Sequence, residues 1–262
     1  MKHIGRVGLV LGVLALGGVT GCKNEQEEQA NSHRIAGTNF LADKKYAEAI
    51  KEYELSLQAN PNQEKVWEKK AFAHLQAGDP AAAATSALKL LEYRKEPAQK
   101  AEVYRNIAGF YMQGGPVEKA EEYFNEALKI DPKDEASLGW IAEIYSQKGG
   151  ARSMTAPVVP ESLDKALSYY DKVLAINPNS ANTYLNKRIV MLKYIQYEND
   201  QKDAALSEAT ENAKDAAIVA EAKARADQHQ ARAEEFKKQF DEVNKKFGEL
   251  AKAAKGQAAA KP

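Results

Sequence analysis

A 34-residue spacing runs through the chain and fixes most of what it can fold into. Gly37, Ala71, Ala108 and Ala142 lie 34, 37 and 34 residues apart, and Phe40, His74, Tyr111 and Tyr145 follow with the same separations. Ala49, Ala83, Ala120 and Ala166 are 34, 37 and 46 residues apart, and Tyr53, Ala87, Phe124 and Tyr170 repeat that series. Pro61, Pro132 and Pro178 close three of the units. One register explains every column, given a 3-residue insertion near Ala98 to Lys100 and a 12-residue insertion between Gly149 and Asp164. A unit this short cannot bury its apolar face alone, so neighbouring copies must supply the core by stacking.

The chemistry of the columns fits a helix-turn-helix unit. Small residues at the eighth and twentieth places let two helices approach closely, and the aromatic columns fill the gap between neighbouring hairpins. Proline cannot continue a helix and the residue before it leaves the helical region, so Asn60-Pro61, Asp131-Pro132 and Asn177-Pro178 read as turns. The pattern resembles the tetratricopeptide repeat, a 34-residue helical hairpin. The resemblance implies an all-α solenoid of four repeats, at 30–63, 64–97, 101–134 and 135–180, within a domain spanning 30–198. The second repeat departs from the family pattern, with Lys70, His74, Ala87 and Lys95 at places where Leu, Tyr, Phe and Pro are usual. Asn182 to Tyr197 reads as a capping helix whose Tyr184, Ile189, Leu192 and Ile195 cover the last repeat.

Composition narrows the chemistry. The 262 residues carry a formal net charge of +0, which argues against a nucleic-acid binder. One cysteine excludes an internal disulfide and a cysteine-based zinc site. The 4 histidines are too scattered in sequence to form a ligand pair, and no Gly-rich phosphate loop or G-x-S-x-G motif occurs. Carboxylate pairs such as Glu121-Glu122 and Glu234-Glu235 fall on polar helix faces. No nucleophile is paired with a base, so no enzyme, metal site or cofactor is expected.

The N-terminus reads as an address. Lys2 and Arg6 precede an apolar run from Val7 to Val19, about 13 residues and too short to span a bilayer of about 30 Å as a helix. Val19-Thr20-Gly21-Cys22 then resembles the bacterial lipobox, and the chain's one cysteine sits at the acylation place. The resemblance implies removal of residues 1–21, acylation of Cys22, and a tether over 22–29. Two or three acyl chains give stable attachment where one is marginal. Lys23 after the cysteine favours the outer over the inner membrane, with the protein facing the periplasm or the cell exterior.

Gly149 to Pro160, GGARSMTAPVVP, reads as a loop, either plainly solvated or offering Pro157 to Pro160 to a partner as a polyproline segment. From Asp200 to Lys255 there is no proline and one glycine, Gly248, which predicts a long, Ala-rich, charged helix over 199–255. Phe236, Phe240, Val243, Phe247, Leu250 and Ala254 make a heptad seam, extended backwards by Ala233, His229, Ala226, Ala222 and Val219. Uninterrupted, such a helix is about 80 Å long. His229 reads as a tolerated seam residue, and 256–262 as a disordered tail.

In the family this chain resembles, the second, fifth, ninth, twelfth and thirteenth places face a groove that holds a peptide or helix. Those places carry Arg34, Thr38, Leu41, Lys65, Glu68, Phe72, Leu75, Arg105, Met112 and Gln113, and also Asn31, Glu102, Glu143 and Gln147. Arg34 and Arg105 are candidates to hold a carboxylate bidentately. Chaperone-binding members carry Asn at the ninth place of the first repeat, where this chain has Thr38. The expectation is an envelope adaptor that captures one or more envelope proteins in its groove, with acyl chains in the membrane and a possible homo-oligomer through the seam. The alternative is a self-associating coiled-coil spacer.

Overall fold

A computed structural model describes residues 18–153 and 155–259, with side chains over 25–153 and 155–254. Residues 1–17 of the expected leader, the Cys22 side chain, Met154 and residues 260–262 therefore lie outside the described residues. The described chain is all helical, with no strand, and divides into two compact units, residues 1–93 and 94–262.

The first unit holds two antiparallel hairpins. Helices α1 (Gly18–Ala42) and α2 (Tyr46–Ala59) form one, α3 (Glu64–Gln76) and α4 (Pro80–Leu88) the other, and a 3-10 turn at Lys89–Glu92 ends it. Tyr53 is fully buried among Ala49, Leu57, Val66 and Ala73. Gly37 allows this: a β-carbon there would lie 2.8 Å from the Tyr53 ring. Ser56 donates to the Ala30 carbonyl at 2.7 Å, tying α2 to α1. Residues 22–29, expected as a tether, continue as the start of α1. Their Glu, Gln and Lys content carries ample helix propensity.

The second unit holds α5 (Pro97–Gly114) with α6 (Val117–Ile130), α7 (Glu135–Lys148) with α8 (Pro160–Ile176), and α9 (Ala181–Glu211) with α10 (Ala216–Ala259). Pro97 and Pro160 occupy the first helical turn, where proline's missing N–H costs nothing. The 3-residue insertion makes α5 a turn longer than α7, with 18 residues against 14. The longer insertion is a loop between α7 and α8. It is neither a plain solvated strap nor a free polyproline segment: Ala151 and Val158 pack on the core of Ala142, Leu163, Ala166, Tyr170, Val190 and Tyr194. Buried Lys193 donates to the Ser153 carbonyl at 2.8 Å and pins the loop from α9.

The C-terminal segment corrects the expected single helix over 199–255. Helix α9 runs through both the expected cap and the first part of that segment, without a break at residue 198. The chain turns at 212–215 and α10 returns antiparallel along α9. Asp215 makes the turn by accepting from the Ala217 and Ile218 amides at 3.0 and 3.3 Å, a side-chain cap on the exposed amides of the new helix. The expected tail is helical as far as Ala259.

Candidate functional site

In the second unit, α5, α7 and α9 line a groove. From α5 come Arg105, Asn106, Gly109, Met112 and Gln113, and from α7 Ala136, Gly139, Trp140, Glu143 and Gln147. The α9 contribution is Asn182, Thr183 and Asn186. Two cavities, about 460 and 890 Å³, share Arg105, Ala136 and Trp140.

Trp140 stands between them. Its side chain is 48% exposed, and its ring lies parallel to buried Phe124 with centroids 6.3 Å apart. Phe124 thus stiffens one face of the indole while the other stays open. Gly109 and Gly139 sit at groove places, and a β-carbon on either would meet nothing within 4 Å. Packing does not demand glycine there; its effect is a low floor beside Trp140. A large exposed aromatic on a rigid backing suits an anchor for a partner's side chain.

The charges are paired internally. Arg105 Nη1 donates to Asp134 Oδ1 at 2.9 Å, and Asp134 also caps α7 by accepting from the Ser137 amide at 3.3 Å. Arg105 therefore braces α5 against the start of α7 and is not held ready for a partner's carboxylate, as its place suggested. Glu143 receives four donors: Arg152 Nε at 2.7 Å, Arg152 Nη2 at 2.9 Å, Gln147 at 3.0 Å and the Tyr170 hydroxyl at 3.3 Å. Burial pushes its carboxyl up, but the bonds from Arg152 and Gln147 outweigh that and hold it below the ordinary carboxylate range. Arg152 Nη2 also reaches Asn186 Oδ1 at 3.0 Å, joining the insertion loop to α9. Among the described residues no group of three His, Cys, Asp or Glu side chains is arranged to hold a metal.

Of the expected groove residues, Arg105, Met112 and Gln113 line these cavities, as do Glu143 and Gln147. The other seven of the main set belong to the first unit. Arg34 bonds Asn31 within α1 through one of its guanidinium nitrogens. Thr38 donates to the Arg34 carbonyl at 2.8 Å and accepts from Lys69 of α3 at 2.9 Å. Leu41 packs against the Tyr53 core. Lys65 and Glu68 are exposed on α3, Leu75 is half-buried, and Phe72 is 49% exposed. Sequence reasoning missed Trp140, Arg152, Asn182 and Asn186. Trp140 lies at the sixth place of its repeat, and only its neighbour Gly139 at the fifth hinted that the floor falls away there.

The seam residues face α9. Phe236 stacks on Tyr194 at 4.2 Å, and the Arg188 guanidinium lies 5.7 Å from Phe240 and 4.8 Å from Phe247. Val243 is buried and Leu250 half-buried. His229 is more than a tolerated seam residue: its Nδ1 lies 2.6 Å from Glu198 Oε2, and Glu198 is 2% exposed.

Residues 101–134 match the tetratricopeptide repeat model. The chain is 24% identical over 185 residues to the Hsp70-Hsp90 organising protein of Plasmodium falciparum, covering 69% of this chain and 29% of that one. It is 30% identical over 105 residues to a photosystem I assembly protein of Rippkaea orientalis, covering 39% of this chain and 61% of that one. The chain thus spans less than two thirds of either relative. A solved TPR repeats protein from Bacteroides fragilis superposes with a TM-score of 0.50 at 16% identity, covering 86% of this chain and 98% of that one. The fold is an all-α stack of tetratricopeptide-type hairpins.

Proposed function

We propose that this chain is a lipid-anchored adaptor of the bacterial envelope that binds a segment of a partner protein in the groove of its second unit. The fold is one that serves protein–protein interaction, and the two relatives are named for organising and for assembly. One observation carries the groove reading: Trp140, backed by Phe124, stands exposed between two adjoining cavities. No bond needs breaking for this role, and the paired charges around Trp140 are those of a recognition surface rather than of a nucleophile with its base.

The anchor rests on the sequence. A basic start, a short apolar run and Gly21-Cys22 support acylation at Cys22, and Lys23 supports the outer membrane. No helix among the described residues is long and apolar enough to cross a membrane. Anchoring confines the adaptor and an envelope partner to one surface and raises their effective concentration. A self-associating spacer would have to open the α9–α10 seam or use another face.

The test is a random peptide library displayed on phage and selected on the full chain. Replacing Trp67, the other tryptophan, by Phe makes Trp140 the reporter. A selected peptide should shift its emission, and Trp140→Ala should weaken binding by about 2 kcal/mol or more, as for an interface anchor. Binding that is indifferent to Trp140 sinks the groove reading. Cys22→Ala should release the protein from membranes; retention sinks the anchor.

A further inference from the structure

The insertion loop is foreign to the repeat plan, yet it delivers one side chain to the groove. We infer that Glu143 is a seat for a guanidinium, that the chain's own Arg152 occupies this seat in the free protein, and that the partner segment brings an arginine to replace it. The inference rests on the groove reading above and says what the groove recognises.

Three observations carry it. First, the seat is built. Glu143 projects from the middle of α7, its side chain is 14% exposed, and Gln147 and the Tyr170 hydroxyl hold the carboxylate oxygens before any arginine arrives. Second, the seat is already shown to fit a guanidinium. Arg152 Nε and Nη2 meet the two oxygens of Glu143 at 2.7 and 2.9 Å, the parallel fork that a carboxylate offers a planar guanidinium and cannot offer an ammonium. Asn186 on α9 takes a third bond from the same guanidinium at 3.0 Å, so the seat spans two helices. Third, Glu143 and Trp140 line the same cavity of about 890 Å³, so an arginine in the seat sets its neighbouring residue against the indole.

Exchange of one guanidinium for another is close to balanced, because each makes the same bonds. Arg152 is the weaker holder, with its side chain 43% exposed on a loop. A partner arginine comes together with contacts on Trp140, which decide the competition. Charge points the same way: with Arg152 withdrawn, the cavity's remaining ionisable lining is acidic except for Arg105, which Asp134 already neutralises. The loop's base, packed through Ala151 and Val158, has no need to move when the side chain swings out.

The peptide selection above decides the matter when run in parallel on the wild-type chain, Arg152→Ala and Glu143→Gln. Peptides from the wild type and from Arg152→Ala should carry an arginine next to an apolar residue. A synthetic copy should bind Arg152→Ala about tenfold more tightly, since the seat is no longer self-occupied. Replacing the peptide's arginine by lysine should weaken it, and Glu143→Gln should lose the arginine preference while keeping the apolar one. Selected peptides without arginine, peptides rich in acidic residues that need Arg152, or affinity that is unchanged or lower in Arg152→Ala would each overturn the inference. Arg152 lies on an exposed loop, so that variant decides the point even if Glu143→Gln fails to fold. If neither the wild type nor Arg152→Ala selects any peptide, the groove reading itself fails, and the seat with it.

Discussion

Helices α7 and α8 close on Ala142, Ala166 and a fully buried Tyr170, whereas α9 and α10 close on Ala205, Ala209, Ala222, Ala226 and Ala233 with half-buried Phe236, Phe240 and Phe247. Both are antiparallel helical hairpins. The repeat hairpin seats one large side chain in a pocket of small ones, and neighbouring helices cover it: Val190 and Tyr194 of α9 complete the pocket of Tyr170. The terminal hairpin has a long two-sided seam with solvent on its flanks, and part of its specificity is polar, through Glu198 and His229. A stacked repeat draws stability from its neighbours; the α9–α10 hairpin leans on the repeat core near Tyr194 and Phe236 and beyond that depends on its own seam. Local stability should therefore fall from the α7–α8 core towards the part of α10 farthest from Phe236.

The largest expected effect separates the two directly. Tyr170→Ala empties a closed pocket and should cost about 3–5 kcal/mol. Phe236→Ala removes a half-buried ring stacked on Tyr194 and should cost about 1–2 kcal/mol. Urea unfolding followed by circular dichroism measures both. Equal losses would mean that the seam is as enclosed as the repeat core, and the comparison would fail.

The repeat side of this contrast was legible in the sequence, and the seam only in part. Every residue of the two alanine columns is buried, and so are Tyr53, Ala87, Phe124 and Tyr170, because spacing and side-chain size together determine which face of a short hairpin goes inward. The second repeat, with Ala87 where Phe is usual, ends early: α4 stops at Leu88 and a 3-10 turn follows. The seam's period was readable, but not its partner. Glu211-Asn212-Ala213-Lys214-Asp215 contains nothing that forbids a helix, and the turn there depends on Asp215 capping a helix that returns to α9. The groove was legible at Arg105, Met112 and Gln113. It was not legible at Arg152, because where an insertion loop delivers a side chain depends on a backbone path held by Lys193 and Val158 from distant positions.

A second experiment sharpens the polar half of the comparison. Glu198 is buried on α9, with His229 at 2.6 Å and Arg232 at 4.0 Å on α10. Glu198→Gln keeps the shape and one acceptor oxygen but weakens both contacts, and should cost about 1–3 kcal/mol. Hydrogen exchange should place that loss in α10 and the facing part of α9, leaving amides of α7 and α8 protected as before. Loosening that spreads into α7 would show that the hairpin and the repeats unfold as one body.

The smallest effect lies within the repeats and is best seen by pH. Tyr145 of α7 donates to Glu121 of α6 at 2.5 Å, and Lys148 holds the other oxygen of that carboxylate at 2.9 Å. The bond to Glu121, helped by burial, pushes the Tyr145 phenol up to about 12. The raised value means that folding favours the protonated donor. The stabilisation is therefore fully present below about 10, the ordinary tyrosine value, and is lost as pH rises through about 12. Burial also raises Tyr170 and Tyr194, so absorbance at 295 nm should show several tyrosines that ionise late, and Tyr145→Phe should lower that late amplitude by one tyrosine. The same change should cost no more than about 1 kcal/mol near neutral pH, the net worth of one hydrogen bond, with the difference from wild type vanishing above the late titration. A late group that survives in Tyr145→Phe with its amplitude intact would assign the titration elsewhere. The polar part of the α6–α7 contact would then rest on Lys148 and Glu121, beside the stacking of Phe124 on Trp140, and Tyr145 would serve packing alone.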